Sequence, residues 1–253
     1  MDRNGQKWSQ EETIIAFYYY CQIPFGKIHK TNPKIIQIAE MLGRTPSSVV
    51  FKMGNLGHFD PELQKRKVNG LSNASKTDAE VVEMFYGNWE ELAFQAHHLE
   101  STLFTTNMTD AITTLPEGKI TVTEAKARIN HDFFRESVLS SYKHRCCITG
   151  LAVDPLLVAS HIKPWAIADP KTERTNPSNG LCLNALHDKA FDRGLITVLP
   201  DFTIRVSSQL TSASEEKEAT WLIQCNHQKI TLPDRFLPNK ELLQYHNDTI
   251  FIP

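Results

Sequence analysis

The 253-residue chain has no Cys-x-x-Cys pair, and its five cysteines (Cys21, Cys146, Cys147, Cys182, Cys225) are odd in number. That pattern excludes a four-cysteine zinc site and a disulfide scaffold, and a reduced, cytoplasmic setting is expected. Long apolar runs are also missing. The longest, Ile14 to Cys21, is far short of the roughly 20 residues a membrane-spanning helix requires, so no membrane partner is expected. The opening stretch to Lys7 is polar and without the apolar segment of a signal peptide. What remains, 41% hydrophobic and 22% charged, is ordinary globular composition, enough for one large domain or two small ones.

The chain also lacks a strong net charge: the total is −2. The charges are nevertheless segregated. Residues 1–76 carry eleven Lys/Arg against six Asp/Glu, a balance of +5, and residues 77–100 carry six acids and no Lys or Arg. Residues 138–206 hold eight bases and six acids. Phosphate binding depends on local basic surface, so near-neutrality overall does not exclude nucleic acid.

Ser9-Gln-Glu-Glu12 is a capping-box pattern that predicts a helix to Tyr20 or Cys21, ending before Pro24. The Tyr18-Tyr19-Tyr20 run reads as helix core. Asn32-Pro33 starts a second helix, with Ile35, Ile38, Ala39 and Leu42 on one face and Gly43 as its stop. Thr45-Pro46 starts a third, with Val49, Met53 and Leu56 as its apolar side. The tight Gly43-Arg44-Thr45 corner reads as a helix-turn-helix whose second helix exposes Arg44, Ser47, Ser48, Phe51 and Lys52 to a DNA groove. Trp8-Ser9-x-Glu11-Glu12 together with Leu42-Gly-Arg-Thr-Pro-Ser-Ser-Val49 resembles Myb-like or winged-helix DNA-binding modules. Thr77-Asp-Ala-Glu80 is a further capping box opening an acidic helix to about Leu99. The Thr-rich residues 101–122 read as a linker, and Thr121-Val-Thr-Glu124 launches a helix past Phe133, Phe134 and Val138.

The densest chemistry lies between Tyr142 and Val198. Cys147-Ile-Thr-Gly150 is turn chemistry after a short strand. Leu156 to His161 is a strand ending in histidine and broken by Pro164, Asn179 to Asn184 a second strand, and Ala185 to Gly194 a short helix capped by Gly194. Cys146, Cys147 and Cys182 read as small core residues beside it. Strand with His, loop, Asn-led strand and helix with His is the layout of a ββα-metal nuclease. The motifs Ser160-His-Ile-Lys-Pro-Trp165, Asn179-Gly-Leu-Cys-Leu183 and Phe191-Asp-Arg-Gly-Leu-Ile196 resemble the HNH endonuclease family over residues 128–199, and more weakly at Tyr245-His-Asn247.

Phosphodiester hydrolysis requires a base for water, a cation against developing negative charge, and rigid positioning. The resemblance implies that His161 is the base, Asn179 ties down the loop orienting it, and His187 ligates the metal. Many members carry His or Asp before the base as a second ligand; this chain has Ser160. Asn184, Asp188 and Asp192 are then the candidates for that second ligand. Lys163 and Arg193 flank the site as candidate phosphate contacts.

The expected architecture is α+β: a helical, winged-helix-like DNA-recognition domain (1–100), a linker (101–122) and a ββα-metal nuclease domain (123–253). The expected function is a bacterial restriction-type endonuclease cutting double-stranded DNA as a homodimer, with a modified base such as 5-methylcytosine as a candidate target. Its cofactor is a divalent cation, Mg²⁺ first and Mn²⁺, Ni²⁺ or Zn²⁺ as alternatives. Two other readings stand beside it: a nuclease with little sequence preference, and a DNA-binding regulator with an inactive nuclease fold.

Overall fold

The computed structural model describes residues 3, 5–65, 74–107, 122–212 and 220–253. By internal contacts the chain divides into residues 1–133 and 134–253. None of the described helices is long and apolar enough to cross a membrane.

Among its described residues the first unit is helical. Its elements are α1 (Gln10–Gln22), α2 (Pro33–Leu42), α3 (Pro46–His58), α4 (Pro61–Lys65), α5 (Lys76–Phe85), α6 (Trp89–Asn107) and the greater part of α7 (Val122–Ser141). Each boundary has a local cause. Ser9 and Glu12 close a reciprocal capping box on α1, Asn32 caps α2, and Thr45 caps α3. Gly43 sits at φ 63°, where a side chain is disfavoured, and ends α2. The expected corner between α2 and α3 is therefore present, with Val49, Met53 and Leu56 buried as anticipated; no strand accompanies it among the described residues.

Two sequence expectations fail here. The cap of α5 is Ser75 with Asp78, two residues before the expected Thr77 and Glu80, and the helix stops at Phe85 before Gly87 (φ 88°) instead of running to Leu99. Helix α6 continues through Asn107, so Ser101–Asn107 is helix where a linker was expected. Residues 108–121, the rest of that linker and Thr121 of the third capping box, lie outside the described residues.

Residues 134–253 hold the end of α7, then β1 (Leu157–His161), β2 (Gly180–Asn184), α8 (Ala185–Asp192), β3 (Ile196–Val198), β4 (Ile204–Val206), α9 (Ser208–Ser212), α10 (Thr220–Ile223) and α11 (Lys240–Thr249). Among the described residues no strand precedes Cys147. The chain leaves α7 through Lys143 and His144, both at positive φ, and turns back so that Cys146 N–H donates to Leu151 O (2.9 Å). β1 and β2 pair antiparallel, Ser160 opposite Leu181 and His161 opposite Gly180, while β3 and β4 form a second antiparallel pair. Phe134, Val138, Leu181, Leu183, Phe191 and Ile196 are core residues between helix and strands, and all five cysteines are buried.

Candidate active site

His161 is the last residue of β1. Its ring lies on Phe134 of α7, centroids 3.8 Å apart and planes 11° apart, with Trp165 edge-on at 5.7 Å. That close approach depends on Gly180 across the ladder. A Cβ there would overlap the Val138 side chain and stand 3.0 Å from Phe134 Cζ. His161 Nε2 donates to the carbonyl of Arg174 (3.0 Å). A carbonyl only accepts, so the neutral ring carries its proton on Nε2 and its lone pair on Nδ1.

The loop that carries this carbonyl is tethered by Asn179, which is completely buried and binds the carbonyl of the preceding residue, Glu173. Asn179 Oδ1 accepts from Lys163 N (2.8 Å), and Nδ2 donates to Lys163 O (3.1 Å) and Glu173 O (3.2 Å). Its backbone carbonyl also accepts from Ile162 N (2.9 Å). One side chain thus joins the segment after His161 to the peptide preceding Arg174. Lys163 itself is engaged: Nζ pairs with Glu173 Oε2 at 2.7 Å and lies over the Tyr245 ring. Arg193 caps α8 and is exposed.

His187, in the first turn of α8, is buried (1% exposed). Asn184 Oδ1 accepts from the backbone N–H of His187 (3.0 Å) and lies 3.0 Å from its Nδ1, while Asn184 Nδ2 donates to Thr149 Oγ1 (3.2 Å). Because the backbone N–H must donate, the atom it meets is oxygen, and Nδ1 must therefore carry the proton. The lone pair is left on Nε2, which is buried with no hydrogen-bond partner. Burial lowers the His187 pKa; the neighbouring Trp221 backbone opposes the shift without reaching hydrogen-bond geometry with Nε2.

Asn184, a candidate metal ligand by sequence, has its side-chain oxygen engaged within the chain. It caps the helix and faces His187 Nδ1. The carboxylates on α8 behave differently. Burial raises the pKa of Asp188, opposed by the Ser160 hydroxyl beside it and by Lys189. Asp192 reaches solvent, yet partial burial and the Asp188 charge one turn earlier raise its pKa too. Among the described residues no group of three His, Cys, Asp or Glu side chains stands ready as a metal cage.

Two predicted DNA contacts lie in the core of the first unit. The Arg44 side chain is 2% exposed, bound to both oxygens of Glu12 (3.3 and 2.7 Å) and to the carbonyls of Gln6 and Lys7. The Lys52 side chain is 5% exposed and pairs with Asp78 at 2.5 Å. Both cations lie over the Trp8 ring, 4.7 and 4.9 Å from its centroid. The expected groove contacts are instead internal ion pairs, because a buried charge must meet its opposite. Ser47 remains exposed and Ser48 half-exposed.

Sequence reasoning missed Phe134, Gly180 and His246. Gly180 carried a signal as the residue that opens the second strand beside a histidine strand. His246 lay in a motif whose purpose only the fold reveals: its ring stacks on Phe191 at 3.7 Å, Nε2 donates to Phe191 O and Nδ1 accepts from Thr197 Oγ1 (2.9 Å).

Residues 146–199 match the family model of HNH endonucleases, an interval that holds His161, Asn179 and His187 and omits Phe134 and His246. No curated protein matches the chain.

Proposed function

We propose that residues 134–253 form a metal-dependent endonuclease that hydrolyses phosphodiester bonds in DNA, with His161 as general base. The observation that carries this reading is the pair of opposite tautomers. His161 bears its lone pair on Nδ1 and His187 on Nε2, each fixed by an oxygen on the other side of the ring. Two neutral imidazoles so arranged suit two roles, a proton acceptor and a ligand.

HNH nucleases use a divalent cation, and a buried, orphaned His187 Nε2 has the chemistry of a ligand for one. Asp188 and Asp192, whose ionised forms burial disfavours, are the carboxylates that such a cation would relieve. The cation would supply charge against the phosphate and the leaving oxygen. The remaining functions fall to the chain. His161 Nδ1 takes the proton of the attacking water. The Arg174 carbonyl holds the ring in that tautomer and stabilises the imidazolium that forms. Asn179 fixes the loop behind that carbonyl, and the Phe134 ring covers one face of the imidazole.

Plasmid nicking with Mg²⁺, Mn²⁺, Ni²⁺ or Zn²⁺ added to chelated protein tests the reading. Cleavage restored by a divalent ion supports it; full activity in EDTA refutes it, and no activity with any ion favours the regulator with an inactive nuclease fold. A restriction role, and selection of 5-methylcytosine, are narrower proposals that rest on the resemblance of the architecture. Matched methylated and unmethylated plasmids decide them. One such site cuts one strand, so concerted double-strand cleavage calls for a two-fold homodimer; light scattering on the DNA-bound protein checks it.

A further inference from the structure

The burial of Arg44 and Lys52 leaves the surface above them with a definite shape. A cleft of about 750 Å³ opens between the first turns of α3 and α5, floored by Trp8 and lined by Lys7, Ser47, Ser48, Lys76 and Thr77. Phe51, 61% exposed, stands on α3 within it.

We propose that this cleft is the duplex-DNA contact of the N-terminal unit, gripping backbone phosphates between the two helix starts with Phe51 against the sugar or base edges. The inference deepens the DNA-endonuclease reading and rests on it for the substrate class.

The charge arrangement selects the occupant. The acid nearest the cleft, Asp78, is fully buried and is neutralised by Lys52; its second oxygen accepts from Ser75 N (2.8 Å). No acidic residue occupies the first turn of α3. Lys7 and Lys76 remain as exposed cations, the latter meeting, among the described residues, Glu80 at 3.3 Å in open solvent, a pair that contributes little. The first turns of a 13-residue and a 10-residue helix add amide donors at Ser47, Lys76 and Thr77, which have no intrahelical acceptors. Hydroxyls, amides and two lysines around an aromatic form a surface for phosphate and sugar. The +5 balance of residues 1–76 has the matching sign.

The test uses the full chain carrying His161→Ala, in EDTA, so that binding is read without cleavage. A short fluorescent duplex is titrated by anisotropy over a salt series. Lys7→Gln with Lys76→Gln is expected to weaken binding and to flatten the dependence of log affinity on log salt by about one unit per lost contact. Phe51→Ala is expected to weaken binding several-fold at every salt concentration and leave the slope unchanged. Lys30→Gln, an exposed cation of the same unit outside the cleft, is expected to match the parent. Unchanged affinity and slope in the double variant, with its helical circular dichroism intact, overturn the proposal. So does displacement of the duplex by polyglutamate at equal charge, which would identify an acidic protein as the occupant. The wild-type plasmid assay reads the nuclease separately. A chain that cuts while its salt slope ignores Lys7 and Lys76 refutes only the cleft. A chain that binds through them and never cuts refutes only the nuclease.

Discussion

Two imidazoles in residues 134–253 are packed by the same device and have opposite chemical fates. His161 lies flat on Phe134 and His246 lies flat on Phe191, both with planes 11° apart, and both donate Nε2–H to a backbone carbonyl. The difference lies on the other side of the ring. At His246 the second nitrogen accepts from the buried Thr197 hydroxyl, the residue is 1% exposed, and burial pushes its pKa down to about 4. His161 is half-exposed at the end of its strand. Stacking and a carbonyl anchor make a histidine rigid; at His246 the second nitrogen is also closed off by a buried hydroxyl, which ties that ring to the fold.

Exchanging the lesions gives the sharpest test. His161→Ala should lower nicking by about 10²–10⁴-fold with the unfolding midpoint little changed. His246→Ala should cost roughly 2–4 kcal/mol, since it opens a cavity and strands Thr197 and the Phe191 carbonyl, while molecules that stay folded keep cutting. If His246→Ala abolished cleavage at full stability, the two roles would be assigned the wrong way round.

The pH dependence of folding separates them next. His246 is neutral in the folded state and titrates near 6.5 once unfolded, so between those values the unfolded chain holds the extra proton. Its contribution is complete above about pH 6.5 and is lost as pH falls towards about 4, roughly 3 kcal/mol in all. Urea titrations at pH 7.5 and 4.5 should show this loss in wild type and a smaller one in His246→Gln, whose amide can still reach both partners. Equal losses would mean that another group carries the acid sensitivity.

A smaller effect concerns the third histidine. Asn184→Ala should weaken divalent-ion affinity about 10–100-fold in calorimetry by freeing the His187 ring to turn, with some loss of helix capping. Unaltered affinity would leave Asn184 as a cap alone. Smallest is Gly180→Ala, expected to cost about 1–3 kcal/mol by pushing Val138 and Phe134 away from β2, with a fall in nicking as the stack under His161 loosens. Normal activity at reduced stability would show that Phe134 supports the fold and not the base.

What the sequence disclosed follows the reach of the interactions. The caps at Ser9, Asn32 and Thr45, the stop at Gly43 and the order β1, β2, α8 are written in neighbours a few residues apart. Where two local patterns overlapped, as at Ser75 and Thr77, the outcome follows Asp78, whose side chain caps α5 and meets Lys52, 26 positions away. Arg44 looked like a surface cation because Glu12, its partner, lies 32 positions earlier. The Asn179 tether was expected from the family resemblance alone, and its side chain binds Lys163 and Glu173. The Phe134 and Phe191 stacks were not legible, because contacts across 27 and 55 positions leave no periodic trace.

The buried thiols have a use of their own. Cys21 is the one cysteine in residues 1–133, and Cys146, Cys147, Cys182 and Cys225 all lie in the core of residues 134–253. Burial holds Cys147 well above the ordinary thiol range and pushes Cys182 to about 12 and Cys225 to about 11, so in the closed protein these sulfurs offer almost no thiolate to an alkylating reagent. Labelling must wait for opening, and its rate then reports opening free energy. The native chain therefore carries two clocks of different mass: one adduct when the first unit opens, up to four when the second does. Whether a metal ion or a DNA duplex slows one clock and spares the other can be read by mass spectrometry without introducing a probe.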